Sequence, residues 1–131
     1  MSENEEHLRH VVTAVVVVHD GARLLPGLIR AVREQTHPVE RAVGVDTGST
    51  DRSGAALTEL LGPDAVFGMD PDTGYGAAVS RALQRPAARK QVRRPSTGPD
   101  TSVEWVWLLH DDCEPAADAL EQMLRAASRS R

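Results

Sequence analysis

Trp105-Val106-Trp107-Leu108-Leu109-His110-Asp111-Asp112-Cys113-Glu114-Pro115 is an apolar run, long enough for one buried strand, that ends abruptly in acid. Pro115 then opens a helical pattern in which Ala116, Leu120, Met123, Leu124 and Ala127 share one face. Three carboxylates within four residues repel one another. They stay ionised only with a cation, with hydrogen-bond donors or in full contact with water. Taken alone, the segment reads equally as a divalent-metal site or as a solvated acidic turn.

The same apolar run with a polar end recurs towards the N-terminus. Val11 to Val18 is a β-branched run suited to a central strand covered on both faces, and it stops at His19-Asp20-Gly21. Leu24, Leu25, Leu28, Ile29 and Val32 then recur at helical spacing to about Gln35, with Pro26 tolerated in the first turn. Arg41 to Val45 is a short strand ending in Asp46-Thr47-Gly48-Ser49-Thr50-Asp51. Gly48 can take positive φ there, and Ser49 or Thr50 can cap a helix that buries Ala56, Leu57, Leu60 and Leu61. Ala65 to Met69 is a third strand, Asp70 to Gly76 a turn-rich loop, and Ala77 to Gln84 a helix facing inward through Ala78, Val79, Ala82 and Leu83. Four strands alternating with helices predict an α/β domain with a doubly wound, mostly parallel four-stranded sheet, flanking helices and right-handed crossovers. Ligands of such sheets sit beyond the carboxyl ends of the strands, where strand order reverses. All four polar segments are strand ends, so the topology gathers them along one edge.

The chain has 131 residues, enough for one domain and too few for two. Residues 1–10 read as a flexible lead-in, 11–128 as the folded domain, and 85–102, with Arg85, Arg89, Lys90, Arg93 and Arg94, as a mobile basic loop: a solvated insertion or an arm drawn to phosphates. A net charge of −4 gives no reason to expect a nucleic-acid partner. The apolar run at Val11 falls far short of a membrane span, the N-terminus is acidic where a secretory leader is basic, and the single cysteine, Cys113, fits a reducing compartment. The expected location is therefore the cytoplasm. Cys113 itself reads as packing, because a hard cation has little use for a thiolate. His7, His10 and His37 read as solvated.

The edge suits a nucleoside diphosphate carrying a sugar. Asp111 and Asp112 offer oxygen ligands for Mg²⁺ or Mn²⁺, Asp46 an acceptor for a base N–H or ribose hydroxyl, and the backbone at Gly74 to Gly76 a close approach. In order, Val-Val-Val-Val-His-Asp, Val-Gly-Val-Asp-Thr-Gly-Ser-Thr-Asp, Asp-Thr-Gly-Tyr-Gly-Ala-Ala-Val-Ser-Arg-Ala-Leu and Trp-Leu-Leu-His-Asp-Asp-Cys-Glu-Pro resemble the nucleotide-binding half of family 2 glycosyltransferases, which have the Rossmann-like GT-A fold. The resemblance spans about residues 11 to 127. It implies transfer of a sugar from a nucleotide-diphosphate donor to an acceptor hydroxyl, inverting and Mg- or Mn-assisted, with a carbohydrate or lipid-linked acceptor such as a cell-envelope polysaccharide met at the inner face of the membrane. By motif, Asp46 contacts the base, His19 and Asp20 border its pocket, Asp111 serves the ribose or diphosphate, and Asp112 is the metal ligand. Asp72, Gly74 and Ser80 flank the nucleotide.

Two departures matter. His110 stands where the family's acidic triplet begins, leaving one carboxylate fewer. Family members also continue into an acceptor half that carries the catalytic base, so this chain reads as the donor-binding part, inactive alone, with no catalytic residue assigned. Asp118 and Glu121 lie on the outer face of the last helix and are poor candidates. Other readings remain: a sugar-phosphate nucleotidyltransferase, which wants a glycine-rich loop after the first strand where this chain has only Gly21, and a non-catalytic nucleotide-binding or phospho-receiver module, which wants a strand-end lysine where the only lysine is Lys90.

Overall fold

The computed structural model describes residues 9–91 and 102–129. Four strands, β1 (Arg9–Val18), β2 (Arg41–Thr47), β3 (Val66–Met69) and β4 (Ser102–His110), form one sheet in the order β3-β2-β1-β4, and every neighbouring pair is parallel. The chain steps outward from β1 to β3 and then returns to the other side of β1, so strand order reverses between β1 and β4. Doubly wound topology thus holds, with the whole sheet parallel.

β1 is the spine. Val11 to Val18 are all buried, and alternate residues face opposite layers. Ala14, Val16 and Val18 pack with Leu25, Leu28, Ile29 and Val32 of α1 (Leu25–Arg33) and Leu57 of α2 (Ser53–Leu61), while Val12 packs with Leu120 and Leu124 of α4 (Ala119–Arg129). On the other face, Val15 and Val17 meet Val43, Val45 and the small residues Ala78 and Ala82 of α3 (Tyr75–Leu83). Each buried valine contributes about 1.5–3 kcal/mol of hydrophobic stabilisation. With few aromatics, the core is built from β-branched strands under alanine and leucine.

Several local expectations are corrected. β1 begins at Arg9, inside the expected lead-in; residues 1–8 and 92–101, which include most of the expected basic loop, lie outside the described residues. The beginning of that loop is ordered as a 3₁₀ turn, Pro86–Ala88, with Ala88 buried. β4 is an edge strand rather than a buried one: Trp105, Trp107 and Leu109 face the helices, whereas Val106 and Leu108 are 46% and 48% exposed. The last helix starts at Ala119, not Pro115, because a turn joins Ala116 O to Ala119 N first. Within that helix Leu120 and Leu124 are buried, whereas Met123, expected on the same inward face, is 46% exposed. α3 begins at Tyr75, two residues before its expected start. His10 is half-buried, not solvated, and its Nδ1 accepts from the Trp105 indole at 2.9 Å. Arg41, read only as the start of a strand, is buried and ties β2 to β4 through Glu104 at 2.7 Å and to the Lys90 carbonyl at 2.7 Å.

Among the described residues no helix is long and apolar enough to cross a membrane.

Candidate functional site

His19 and Asp20 follow β1, Asp46 and Thr47 close β2, and His110 ends β4, so three strand ends deliver polar groups to the same edge at the reversal of strand order. They are joined directly. The His19 amide donates to Asp111 Oδ2 at 2.9 Å, linking β1 to β4, and its Nδ1 lies 2.7 Å from the Thr47 carbonyl, linking β1 to β2. A carbonyl only accepts, so Nδ1 carries the proton. Nε2 then lies 3.3 Å from Asp20 Oδ2.

Four consecutive amides of the loop after β1 are engaged, His19 N by Asp111 after β4 and the next three by the loop after β2. Besides His19, Asp20 N donates to Ser49 Oγ at 2.9 Å, Gly21 N to Ser53 Oγ at 2.9 Å, and Ala22 N to Asp51 Oδ2 at 3.2 Å. A loop that cradles phosphate must offer its amides to the ligand; these four are already engaged. This disfavours the nucleotidyltransferase reading on geometry as well as on glycine count. In return, Asp20 Oδ1 accepts from the Thr50 amide at 2.7 Å, the Asp51 amide at 3.3 Å and the Thr50 hydroxyl at 3.2 Å. Asp20 adopts φ +50, the only described non-glycine residue with positive φ, to make that reach. The Thr50 amide, foremost among these partners, holds its carboxyl below the usual 3.8.

The start of α2 is organised differently from the expected cap. Neither Ser49 nor Thr50 caps it; Asp51 Oδ1 accepts from Ser53 N at 2.8 Å and Ser53 Oγ at 2.5 Å. The Ser53 hydroxyl is the leading cause that lowers the Asp51 carboxyl below 3.8. Ser49 instead donates its amide, at 3.2 Å, and its hydroxyl to Asp46 Oδ1. Asp46 therefore does hold its own turn, as an acidic strand end can, yet its Oδ2 accepts no hydrogen bond among the described residues. Gly48, at φ +63, makes the turn that brings Pro71 against it.

Asp112 is exposed and has no hydrogen bond or ion pair to the described residues. Asp72 and Gly74 are exposed and join none of the bonds between the strand ends; Gly74 precedes α3, its carbonyl accepting from Ala78 N at 3.0 Å. Ser80 is exposed further along that helix. The link from α3 to the edge is Tyr75, whose ring stacks on His110 with centroids 4.3 Å apart and planes 23° from parallel. Burial raises the Tyr75 hydroxyl above its usual 10.0, so it stays a donor at neutral pH. Nothing in the sequence beyond an aromatic residue at a helix start signals this stack. Likewise, Ser49, Thr47 and Ser53 emerge as braces only once the loops are juxtaposed.

Among the described residues no group of three or more His, Cys, Asp or Glu side chains is gathered to hold a metal ion. A hard divalent cation that draws most of its shell from phosphates and water needs only one or two protein carboxylates. The free carboxylate of Asp112 suits that shared coordination, and the edge does not suit an all-protein cage. Cys113, half-buried, packs against the core beside α1, as its sequence setting suggested.

A concavity of about 820 Å³, lined by Arg41, Arg85 and Lys90 among others, lies at the amino ends of β2 and β3. It is remote from the strand-end carboxylates, so chemistry rather than volume locates the site.

Fold and edge together define an α/β domain of the Rossmann-like GT-A type, whose ligand side is built from acidic and hydroxyl side chains at parallel strand ends. The sequence profile described as Glycosyl transferase family 2 matches residues 13–131, and the chain belongs to that family. Its class of chemistry is glycosyl transfer, which this family generally performs with nucleotide-sugar donors and divalent cations. No curated protein and no solved structure matches the chain.

Proposed function

We propose that the carboxyl edge of this sheet binds the nucleoside-diphosphate part of a sugar donor, for inverting transfer of the sugar to an acceptor hydroxyl. The observation that carries the reading is the direct joining of the β1, β2 and β4 ends through His19, Thr47 and Asp111 at the reversal of strand order. Asp46 Oδ2 accepts from a base N–H, His19 and Asp20 wall that pocket, Asp111 faces the ribose and diphosphate, and Asp72 and Gly74 flank the nucleotide. Asp112 would hold Mg²⁺ or Mn²⁺ together with the diphosphate; the ion, when bound, neutralises charge on the leaving group.

In the transfer, the acceptor oxygen forms a bond to the anomeric carbon while the bond from that carbon to the phosphate oxygen breaks, and the nucleoside diphosphate leaves with the electron pair. The acceptor proton passes to a base that none of the residues assigned above provides. The chain alone is therefore proposed to bind donor without appreciable transfer. A cytoplasmic setting, at the inner face of a membrane where a lipid-linked acceptor would be met, fits this role.

Calorimetry with UDP, GDP and their sugars, with and without Mn²⁺, tests the reading. Expected is metal-assisted binding that Asp112→Ala weakens about tenfold or more and Asp118→Ala leaves intact. Absence of binding to every nucleotide by folded protein would refute it.

A further inference from the structure

Two glycines, one in the loop after β1 and one in the first turn of α2, lie closer to the site's carboxylates than any side chain could. A Cβ on Gly54 would sit 2.7 Å from Asp46 Oδ2; a Cβ on Gly21 would sit 2.6 Å from Asp111 Oδ2 and 2.7 Å from its carboxyl carbon. Neither glycine has positive φ, and Gly21 is at φ −122. Space, not backbone conformation, is what requires glycine at both positions.

Neither backbone is free to withdraw. Gly21 N is bonded to Ser53 Oγ, and Gly54 follows Ser53 in the first turn of α2, whose start Asp51 fixes. The carboxylates are held too, Asp46 through Oδ1 by Ser49 and Asp111 by the His19 amide on the same Oδ2 that faces Gly21. An added methyl group must therefore displace the carboxylate. We propose that Gly21 and Gly54 are positioning residues, each a bare Cα against which one donor-site carboxylate is seated: Asp111 on Gly21, Asp46 on Gly54. The inference rests on the donor-site reading above and extends it to residues that touch no ligand.

The two glycines should separate in experiment. A carboxylate oxygen accepts, so at the ring N3 position Asp46 favours uracil, whose N3–H donates, over cytosine, whose N3 accepts. Gly54→Ala is expected to lower UDP affinity by about tenfold or more and to erase the preference for UDP over CDP. Gly21→Ala is expected to lower UDP affinity similarly while leaving that preference intact. Gly68→Ala, whose Cβ would meet only the Asp46 carbonyl at 3.7 Å, serves as the neutral control.

If Gly54→Ala melts without cooperativity, adding Asp46→Ala must restore the transition, and alanine, the better helix former, should then raise the melting temperature of the Asp46→Ala protein. Asp111→Ala must likewise rescue Gly21→Ala. Wild-type binding with both alanine variants folded and unchanged in affinity and base preference overturns the positioning role alone. Failure of the rescues overturns it as well, whereas no nucleotide binding by the wild type removes the donor site and this role together.

Discussion

Asp20 and Asp51 illustrate how much of this site is devoted to holding its own loops. Both carboxylates are exposed acceptors whose partners, the Thr50 amide first for Asp20 and the Ser53 hydroxyl first for Asp51, favour the ionised form and lower both carboxyls below 3.8. A carboxyl lowered on folding stabilises the fold above its unfolded value, and that stabilisation is lost as the pH falls through the folded value. The melting temperature should therefore be insensitive to these two groups above about pH 4 and decline below it. Asp20→Asn and Asp51→Asn should each make that acid decline shallower; an unchanged acid profile in both would contradict the assignment. The sequence placed Asp20 beside the nucleotide, and what it lacked was the pairing partner. Thr50 is 30 residues away, and the bond exists only because β1 and β2 are parallel neighbours in register from Thr13–Arg41 to Val18–Asp46. The same holds for Asp46: its strand-end position is legible, but the Ser49 hydroxyl that fixes its orientation looked like a helix cap.

Helices and strands were legible where a single period governs them. The valine-rich run of β1, interrupted by Thr13 and Ala14, could only be a strand buried on both sides, and the leucine spacing of α1 could only be one apolar face. Boundaries were misread where a local turn competes with the period. After β4, Pro115 permits a helix, but the turn closed by Ala119 N on Ala116 O postpones it to Ala119. The face this helix buries is Leu120 and Leu124, with Met123 turned to water. Leu124→Ala should therefore destabilise the domain by about 2–5 kcal/mol, whereas Met123→Ala should change stability by no more than about 0.5 kcal/mol, measured by denaturant unfolding. Equal costs for the two would contradict that orientation of the helix. β4 was misread for a different reason. Its apolar composition is that of a central strand, but it is the last in the order, and composition does not reveal which strand ends a sheet.

For the whole molecule, strand alternation predicted the doubly wound sheet, and polar strand ends predicted one functional edge, because parallel topology forces every carboxyl end to the same side. The chemistry of the edge was less legible. A glycine count could weaken the phosphate-loop reading, but only the engagement of the His19 to Ala22 amides shows why this loop serves as a brace. The most direct test of the donor edge is an amide chemical-shift titration of the folded protein with UDP and Mg²⁺. Shifts should concentrate at His19 to Ala22, Asp46 to Ser53, Tyr75 and His110 to Asp112. Shifts confined to the opposite groove, around Arg41, Asp64 and Arg85, or no shifts at saturating nucleotide, would contradict it.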